Sequence, residues 1–598
     1  MSDSSKSVYI RTPSSVVGEM FLDCGDAGDW EYTLERIGGE GEVEIFRVVC
    51  SAPAPTVPKP IAVRFSVPME DIDGIWSPRE ENVTVPPEWG AGRKSSIIAN
   101  LPLCSLVGGY GQNRMTFACS DATRPIEIHA GTHEQTSRIN CMFYIFLANA
   151  HEEPFAKWEA LIRVERGGTF SDAVQRASKW IADQPRYRPQ ASPADAFEPL
   201  YSTWYAFHHD LLDTEVEAEC AEAAAMGMKV LIVDAGWQTD DPTPGFAHAG
   251  DWEISRKRFP DMAAHVRRVH ALGMKYMVWF GLTLAGSKSR AHELWDGKTF
   301  TSSDIGEEVL DPRFPEVREH LAGVLEKAVR EWDLDGLKLD FVDALQFAGE
   351  DPAVAQNFAG RDIHFMPTAI DALFVEIKRR LDAVKPGLLI EFRQGYTGPA
   401  IRKYANMLRA SDCPGSIEAN RIRTANLRLT TGGAAVHSDM LEWDVASTPE
   451  DAARQILASL FSVIQYSMML RRLPAAHREM LQHWLGFTVA HRDTLLHGEF
   501  IAADPVANYP VLAARGRDET VLAVYRGETV ADIPADSPTV FLVNASWRTG
   551  LTVRFAGKPA SVALFDTFGH PAGMIDVPAA GLTDLPVPKS GHAEIRFA

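Results

Sequence analysis

Up to about residue 185, apolar residues occur in short alternating runs that glycine, proline and aspartate separate. Runs of this length with a period of two are typical of strands in an antiparallel sheet. The pattern predicts a large N-terminal β-sandwich, followed by a helix over 171–184 and a proline-rich linker over 185–193. The predicted strands include 43–49, 61–67, 126–130, 141–147 and 161–166.

The pattern changes at about residue 200, where short apolar runs begin to alternate with helical stretches such as 215–226, 262–272 and 317–332. Eight strand–helix units in succession predict a (β/α)8 TIM barrel. An open doubly wound sheet is the alternative, and the lack of a phosphate-binding glycine motif after any strand disfavours it. The eight predicted strands are 203–207, 230–235, 276–281, 336–342, 388–393, 407–412, 435–440 and 465–470.

Strand-like runs return after about residue 495 and predict a small antiparallel sandwich. These runs are 521–524, 539–544, 551–555, 561–565 and 593–597. We therefore expect a multidomain α/β and β protein. Its predicted domains are an N-terminal β-sandwich with its linker (1–190), a catalytic barrel (191–495) and a C-terminal β-sandwich (496–598).

The composition is ordinary for a globular protein, with 45% apolar and 23% charged residues among 598. The net charge of −21 argues against nucleic acid and anionic membranes as partners, because both attract basic patches. No apolar run is long enough to span a bilayer, and the first seven residues lead into no signal-peptide core. The seven cysteines are scattered and form no CxxC pair, which indicates that they are reduced thiols. We expect a cytoplasmic protein that acts on a small molecule.

Two aspartates in strand-like runs carry the chemistry. Lys338 and Asp340 share one face of the run 336–341, since alternate residues of a strand point the same way. Unpaired buried charge is costly, so this face is expected to line a polar cavity. Asp412 ends a second such run, and two carboxylates in one cavity are the minimal equipment for cleaving a glycosidic bond.

The ammonium of Lys338 favours the ionised form of Asp340, which a nucleophile needs. Asp412 would then act as general acid and afterwards as general base. The plainer alternatives are a structural ion pair for Lys338 and Asp340, and a helix cap or turn before Pro414 for Asp412.

Further polar and aromatic residues follow the predicted barrel strands, where barrel enzymes place their active sites. A lone aspartate there is usually a helix cap, but several carboxylates with a lysine and tryptophans favour a sugar site. For any single tryptophan, core packing is an equal alternative. The residues are Trp204, Tyr205, Asp234, Trp237, Trp279, Lys338, Asp340, Glu391, Arg393, Asp412, His437 and Asp439.

Seven short segments in a fixed order resemble one known family. They are Asp-Ala-Gly-Trp-Gln at 234–238, Gly-Asp-Trp at 250–252, Phe-Pro-Asp at 259–261, Gly-Met-Lys at 273–275, Val-Leu-Asp-Pro at 309–312, Leu-Lys-Leu-Asp at 337–340 and Ser-Asp at 411–412. Together they are similar to the bacterial α-galactosidases of glycoside hydrolase family 36, within the melibiase-like clan. The resemblance implies a retaining, exo-acting α-glycosidase that hydrolyses terminal α-galactoside-like residues without a metal or other cofactor, commonly as a dimer or tetramer.

By that resemblance Asp340 is the nucleophile and Asp412 the acid/base. Lys338, Asp234, Trp204 and Trp252 would line the sugar subsite. We add Trp237, Trp279, Arg393, Gly395, Tyr396 and His437 as further candidates for substrate binding.

Three departures from the family leave the sugar open. Ala235 stands where a second aspartate usually binds a hydroxyl, Arg393 stands where a cysteine is usual, and no arginine is evident in 302–308. Arg393 could pair with a substrate carboxylate, or an aspartate such as Asp439 could neutralise it. The alternative substrates are an α-N-acetylgalactosaminide, a β-L-arabinopyranoside, or an acidic or modified sugar.

Two rival functions belong to other classes. A metal-dependent barrel lyase would need carboxylates on consecutive strand ends, and the run 279–282 offers none. The His-His-Asp segment at 208–210 is a weak metal candidate, because no further ligands with metal spacing accompany it. A non-catalytic carbohydrate-binding protein would be expected to lack one of the two aspartates.

Overall fold

A computed structural model describes residues 7–597 except 80, 82, 91, 148–151, 578 and 579. Residues 1–6 lie outside the described residues. They belong to the N-terminal segment for which the sequence predicts no signal-peptide core. No helix in the described part of the chain combines the length and apolarity needed to cross a membrane.

The N-terminal part consists of two antiparallel six-stranded sheets, packed face to face. In chain order the strands are β1 (Ser7–Ser14), β2 (Gly18–Asp26), β3 (Glu31–Gly38), β4 (Val43–Thr56), β5 (Ile61–Pro68), β6 (Gly74–Trp76), β7 (Arg93–Ser95), β8 (Leu103–Gly108), β9 (Gln112–Cys119), β10 (Ile126–His133), β11 (Arg138–Ile145) and β12 (Phe155–Glu165). One sheet has the order β1-β2-β5-β11-β10-β7, the other β3-β4-β12-β9-β8-β6. Buried residues alternate with partly exposed ones along β5, as the period of two requires. Phe65 and Phe117 from opposite sheets meet edge to face at 5.3 Å in the core.

The central part is a sheet of eight parallel strands that curls into a barrel. Its strands, in chain order, are β13 (Leu200–Ser202), β14 (Val230–Val233), β15 (Lys275–Gly281), β18 (Gly336–Asp340), β19 (Leu389–Arg393), β20 (Met407–Arg409), β21 (Ala435–His437) and β22 (Gln465–Tyr466). The last strand pairs with the first, Leu200 opposite Gln465. Single bridges from His437 to Val463 and from Leu441 to Tyr466 bring the remaining edges together. The barrel is confirmed, and the short hairpin β16 (Thr299–Thr301) and β17 (Glu308–Leu310) is inserted between β15 and β18.

Helices cover the outside of the barrel. Helix α6 (Pro315–Trp332) begins with proline in its first turn, where a missing N–H costs nothing, and buries Val317, Leu321 and Leu325 on one face. Helix α1 (Phe170–Ala182) instead packs between the N-terminal sandwich and α9 (Ile417–Thr431), and α2 (Trp204–Phe207) is a single turn directly after β13. The remaining helices are α3 (Asp213–Met226), α4 (Met262–Ala271), α5 (Arg290–Leu294), α7 (Pro352–Ala355), α8 (Met366–Val384), α10 (Pro449–Ala458) and α11 (Ala475–Ala490).

The first predicted barrel strand is misplaced. Residues 203–207 were expected to be a strand, but the strand is Leu200–Ser202 and the aromatic residues that follow form the single helical turn α2. Strand pairing decides this, because Leu200 and Tyr201 align with Val230 and Leu231 of the next strand. Most other barrel strands end two to four residues earlier than predicted, which leaves their polar ends in the loops.

The C-terminal part has a seven-stranded sheet, β23-β24-β25-β27-β32-β29-β30, and a three-stranded one, β26-β28-β31. The strands are β23 (Glu499–Ala502), β24 (Val511–Arg515), β25 (Glu519–Val524), β26 (Ala531–Ile533), β27 (Thr539–Asn544), β28 (Leu551–Phe555), β29 (Ser561–Phe565), β30 (Pro571–Ile575), β31 (Gly581–Leu585) and β32 (His592–Arg596). Pairing is antiparallel except between β25 and β27 and between β26 and β28.

The three parts meet at one buried tryptophan. Trp76 of the N-terminal sandwich donates its indole N–H to Asn426 Oδ1 of α9 at 3.1 Å and to the Tyr509 hydroxyl at 3.0 Å. Tyr509 lies just before β24, so one hydrogen-bonded cluster joins both sandwiches to the barrel.

Candidate active site

Charged side chains meet at the carboxyl ends of the middle barrel strands. Trp279 of β15 is in register with Lys338 of β18, which is in register with Glu391 of β19. Two residues further on, Arg393 is opposite Arg409 of β20. This concentration of charge lies at the carboxyl ends of the strands, which is the end at which TIM-barrel enzymes bind their substrates.

Asp340 ends β18 and is almost buried, at 6% exposure. Its Oδ2 accepts a hydrogen bond from Trp279 Nε1 at 3.2 Å, and its Oδ1 accepts one from the Phe341 backbone N–H at 3.0 Å. Burial alone would raise the pKa of Asp340, but the charges of Arg393, Lys338 and Arg409 outweigh it and hold the pKa well below its ordinary value. The carboxylate is therefore ionised at neutral pH, as a nucleophile must be.

Lys338 lies deeper in the same face and pairs with Asp234, whose Oδ2 is 2.5 Å from Nζ. Both side chains are 4% exposed. Burial lowers the pKa of Lys338, but the charge of Asp234 outweighs it and the pKa is raised. Asp234 accepts a backbone hydrogen bond from Ala235 on its other oxygen. The pair therefore supplies one fixed cation and one fixed acceptor side by side.

Arg393 reaches the nucleophile candidate directly. Its Nε lies 3.4 Å from Asp340 Oδ1, its Nη2 donates to Asp343 Oδ1 at 2.9 Å, and its guanidinium packs over the ring of Phe341 at 5.0 Å. Burial raises the pKa of Asp343, although the positive charge of Arg393 acts against it. Asp439, the neutralising partner considered from the sequence, does not fill that role, because its carboxylate is bound by Arg409 instead.

Asp412 projects from the loop after β20, and half of its side chain is exposed. Arg409 Nη1 donates to Asp412 Oδ1 and also to Asp439 Oδ1, both at 2.7 Å. Burial raises the pKa of Asp412, the Arg409 charge lowers it more, and the negative charge of Asp340 raises it again, so that the net pKa is lowered. The two candidate carboxyls thus influence each other's protonation.

The sequence profile of the melibiase family matches residues 181–498 of this chain. The chain belongs to the melibiase family. The match includes every barrel strand and both catalytic candidates, and it confirms the resemblance that the short segments indicated.

Curated relatives are similar over parts of the chain. A probable α-galactosidase G of Emericella nidulans is 26% identical over 176 residues, which cover 27% of this chain and 24% of the relative. α-Galactosidase 1 of Pediococcus pentosaceus is 20% identical over 314 residues, which cover 50% of this chain and 42% of the relative. The matched part of the chain thus spans less than half the length of these two relatives.

Solved structures share the fold over nearly the whole chain. A family 36 α-galactosidase from Geobacillus stearothermophilus, solved with 1-deoxygalactonojirimycin, superposes with a TM-score of 0.63 at 13% identity. The superposition covers 97% of this chain and 83% of that one. The arrangement of sandwich, barrel and C-terminal sheets is therefore the melibiase-like fold.

One tryptophan of this melibiase-family barrel, Trp252, lies near the nucleophile candidate through its contact with Trp279. Trp252 packs against Trp279 at 5.8 Å and adopts a left-handed backbone, with φ at 52°. Among the described residues its buried indole N–H finds no acceptor, so it is free to donate to a ligand. Trp204 begins α2, is half-buried, and contacts the rings of His208 and His209, which follow that helix.

Three residues proposed as substrate contacts belong to the core instead. Trp237 is fully buried and donates to the Trp279 backbone carbonyl, and Tyr396 is fully buried and donates to the Leu339 carbonyl. His437 is fully buried and hydrogen-bonded to the Ala196 carbonyl, and burial lowers its pKa to about 4. None of the three has a surface that a sugar could touch.

Gly395 is required by packing. A Cβ at this position would collide with the Asp343 carboxylate. Its carbonyl accepts a hydrogen bond from Asn100 of the N-terminal sandwich at 3.0 Å. Arg423 holds the carbonyls of Ser411 and Asp412 while it pairs with Glu81 of the same sandwich. The N-terminal part therefore braces the loops that carry the site.

Sequence reasoning missed Arg409 and Asp343. Arg409 is 1% exposed and lies between Asp412, Asp439 and Glu391. The signal was present, because an arginine in an apolar strand invites the same argument that identified Lys338. Asp343 carried no such signal, since it lies in a short 3-10 turn, Val342–Ala344, whose position only the fold defines.

Two residues of the weak metal candidate at 208–210 contact other protein groups. His209 is buried against the Thr243 carbonyl, and Asp210 pairs with Arg258 at 3.3 Å. Among the residues that the structure describes, no three His, Cys, Asp or Glu side chains are grouped to hold a metal ion.

Proposed function

We propose that this protein is a retaining, exo-acting α-glycosidase of α-galactoside-like substrates. The observation that carries the proposal is the pair of aspartates at one end of the barrel, with Asp340 held ionised among three cations and Asp412 partly exposed beside it. The names of the relatives, all α-galactosidases, support the same substrate class.

In the proposed reaction the Asp340 carboxylate attacks the anomeric carbon and forms a glycosyl ester, while Asp412 gives its proton to the departing glycosidic oxygen. Asp412 then takes a proton from water, whose oxygen attacks the anomeric carbon and releases Asp340. The electrostatics assist this alternation. While Asp340 is charged it raises the pKa of Asp412, which favours the acid role, and esterification removes that charge and favours the base role.

Lys338, Asp234 and Trp252 are proposed to bind the sugar. The ammonium, the carboxylate and the free indole N–H are arranged around the nucleophile and complement hydroxyl groups that accept or donate hydrogen bonds. Trp279 acts through Asp340 rather than on the sugar, because its N–H is already used by that carboxylate.

A related specificity is the second candidate. Ala235 is buried and offers no hydroxyl partner where the family usually has an aspartate, and Arg393 brings a cation beside the nucleophile. A β-L-arabinopyranoside, an α-N-acetylgalactosaminide or an acidic sugar is compatible with this changed surface. The domain limits 1–190, 191–495 and 496–598, a cytoplasmic location and a dimer or tetramer remain parts of the proposal.

The test has two steps. Hydrolysis of nitrophenyl glycosides of these sugars identifies the substrate, and proton NMR of the first product identifies its anomeric form; a retained configuration is expected and an inverted one would contradict the mechanism. With Asp340→Gly, added azide should give a glycosyl azide of inverted configuration. With Asp412→Gly, it should give one of retained configuration. Exchanged outcomes would reverse the two roles.

A further inference from the structure

A cavity of about 720 Å³ lies at the end of the barrel opposite the catalytic candidates. One of its lining residues, Ser192, accepts a hydrogen bond from the N–H of Ala435, which begins β21, and donates to the carbonyl of Asn406, which precedes β20. The cavity therefore adjoins the amino ends of the strands. Its volume is in the range of about 300–1,000 Å³ typical of small-molecule sites.

The walls of the cavity come from four parts of the chain. These are the second half of α1, the linker before the barrel, the end of α9 with the residues that follow it, and Arg402. No residue of the catalytic cluster lines it. A ligand in this cavity would therefore bind apart from the proposed glycosidase site.

Arg402 brings a buried charge to this cavity that no described carboxylate neutralises. The residue is 6% exposed, and burial lowers its pKa to about 10 without an opposing negative charge. Its Nη1 donates to the carbonyl of Thr431, the last residue of α9, at 2.8 Å, whereas its Nε is buried without an acceptor. A helix end carries only about half a negative charge, so the guanidinium keeps a net positive charge.

Arg428 of α9 shows how this fold satisfies a buried arginine without a carboxylate. Its Nη1 donates to the carbonyls of Phe461 and Leu495 at 2.6 and 2.7 Å, and its guanidinium packs over the ring of Phe500 at 4.8 Å. None of its fully buried nitrogens lacks a partner among the described residues. Arg402 differs, because its Nε has no partner and it packs over no ring of the described chain.

A second donor without a partner lies in the opposite wall. Ser178 of α1 is 3% exposed, lines the cavity, and its hydroxyl finds no hydrogen-bond partner in the described part of the chain. A buried hydroxyl and a buried guanidinium without partners are costly, and a bound ligand would supply the missing acceptors.

The charge of the lining favours an anion. The carboxylate that lines the cavity, Asp183, is paired with Lys179 at its edge, with Nζ 2.5 Å from Oδ2. Arg402 therefore remains as an unbalanced cation, although the whole chain has a net charge of −21. A Cβ at Gly432 or at Gly433 would meet no atom within 4 Å, so this part of the wall leaves space for the body of a ligand.

We propose that this cavity binds a small organic oxyanion, either a carboxylate or a phosphate ester, whose charged group pairs with Arg402 and accepts a hydrogen bond from Ser178. Arginine recognises both groups through charge-assisted hydrogen bonds. The inference does not depend on the proposed glycosidase function.

The experiment compares three ligands that share a three-carbon body. Glycerol 3-phosphate carries a phosphate, glycerate carries a carboxylate, and glycerol carries neither. Titration calorimetry of the full chain should show saturable binding of at least one anion and none of glycerol. Arg402→Gln should weaken anion binding at least about tenfold, and Ser178→Ala about three- to tenfold. Arg188→Gln removes an exposed cation of the linker that does not line the cavity, and it should leave the affinity unchanged.

A second variant keeps the test decisive if Arg402→Gln does not fold. Gly433→Glu places a carboxylate in the cavity wall and should abolish anion binding, because like charges repel. Gly38→Glu, at an exposed glycine of β3 with open space around it, is the matched control and should bind as the wild type does.

Binding of one anion alone would support the proposal and identify the ligand as a phosphate ester or a carboxylate. Absence of saturable binding of both anions to the wild type at millimolar concentration would overturn it. Unchanged affinity in folded Arg402→Gln, or in Gly433→Glu, would also overturn it, since the anion would then bind elsewhere on the protein.

Discussion

Two buried clusters of charge lie in the barrel, and they differ in how completely their groups are paired. The loop cluster consists of Asp311, Arg313, Asp351 and Arg361. Arg313 forms two-pronged contacts with both aspartates at 2.6–3.2 Å, and Arg361 donates to Asp311 at 2.8 Å. Two cations balance two anions, and among the described residues none of the cluster's fully buried side-chain polar atoms lacks a hydrogen-bond partner.

The catalytic cluster is not satisfied in the same way. Three cations, Lys338, Arg393 and Arg409, face six carboxylates, which are Asp234, Asp340, Asp343, Glu391, Asp412 and Asp439. Within the described residues, Nε and Nη2 of Arg409 and Oε1 of Glu391 are buried without hydrogen bonds. Burial keeps the pKa of Glu391, Asp439 and Asp343 above the ordinary value, whereas the nearby cations hold the pKa of Asp340 and Asp412 below it. In a structural cluster the polar groups form all their hydrogen bonds with one another, whereas in a catalytic site some donors and acceptors lack protein partners.

Removing the nucleophile should separate function from stability most sharply. Asp340→Asn is expected to lower kcat by at least about 10⁴-fold, because the amide cannot form the glycosyl ester. The melting temperature should stay close to that of the wild type, since the amide has the size of the carboxylate and its oxygen still accepts one of the two hydrogen bonds, from Trp279 or from the Phe341 N–H. Kinetics on a nitrophenyl glycoside and thermal unfolding give the two readings. Asp343→Asn is the matched control, and a loss there as large as that of Asp340→Asn would remove the special role of Asp340.

The loop cluster should show the opposite behaviour. Arg313→Met leaves Asp311 and Asp351 buried with one cation fewer, and the free energy of unfolding should fall by about 3–5 kcal/mol. Arg318→Met removes a more exposed pair with Asp362 near the start of α6 and should cost under about 1 kcal/mol. Urea unfolding measures both. Equal losses would show that the buried cluster is no more important than a surface pair.

Arg409 tests whether the catalytic cluster tunes protonation. Arg409 lowers the pKa of Asp412, so Arg409→Gln should raise it and move the alkaline limb of kcat/KM to higher pH. In the wild type that limb should lie in the acidic range, because the pKa of Asp412 is below its ordinary value. Arg423→Gln, which loses only contacts to backbone carbonyls and to Glu81, should leave the limb in place. A limb that does not move in Arg409→Gln would mean that another group is the acid.

The fold and part of the site, including Lys338 and Asp340, could be predicted from the sequence for one physical reason. Short apolar runs with a regular spacing predict strands and helices locally, and charges inside such runs, such as Lys338 and Asp340, stand out against the cost of burying them. The aromatic residues Trp237 and Tyr396 do not stand out, because a ring suits a core as well as a sugar. Asp343 owes its position to the turn after β18, and no local pattern predicts where such a turn brings a side chain.

A buried histidine without an ion pair differs from both charge clusters, and we expect its replacement to have the smallest effect on stability. His592 on β32 lies between His483 and His491 of the barrel side and the ring of Phe565, and burial lowers its pKa to about 3. In the unfolded chain it would titrate near 6.5. Between these values the unfolded state binds a proton that the folded state refuses, so this residue makes the fold less stable as the pH falls from about 6.5 towards 3.

His592→Phe should therefore lessen the drop in melting temperature between pH 7 and pH 5. His570→Phe, at an exposed position, should leave that drop unchanged. If His592→Phe shows the same drop as the wild type, acid sensitivity does not arise where the C-terminal sheets meet the barrel, and the groups of lowered pKa inside the barrel, His437, Asp340 and Asp412, become its source.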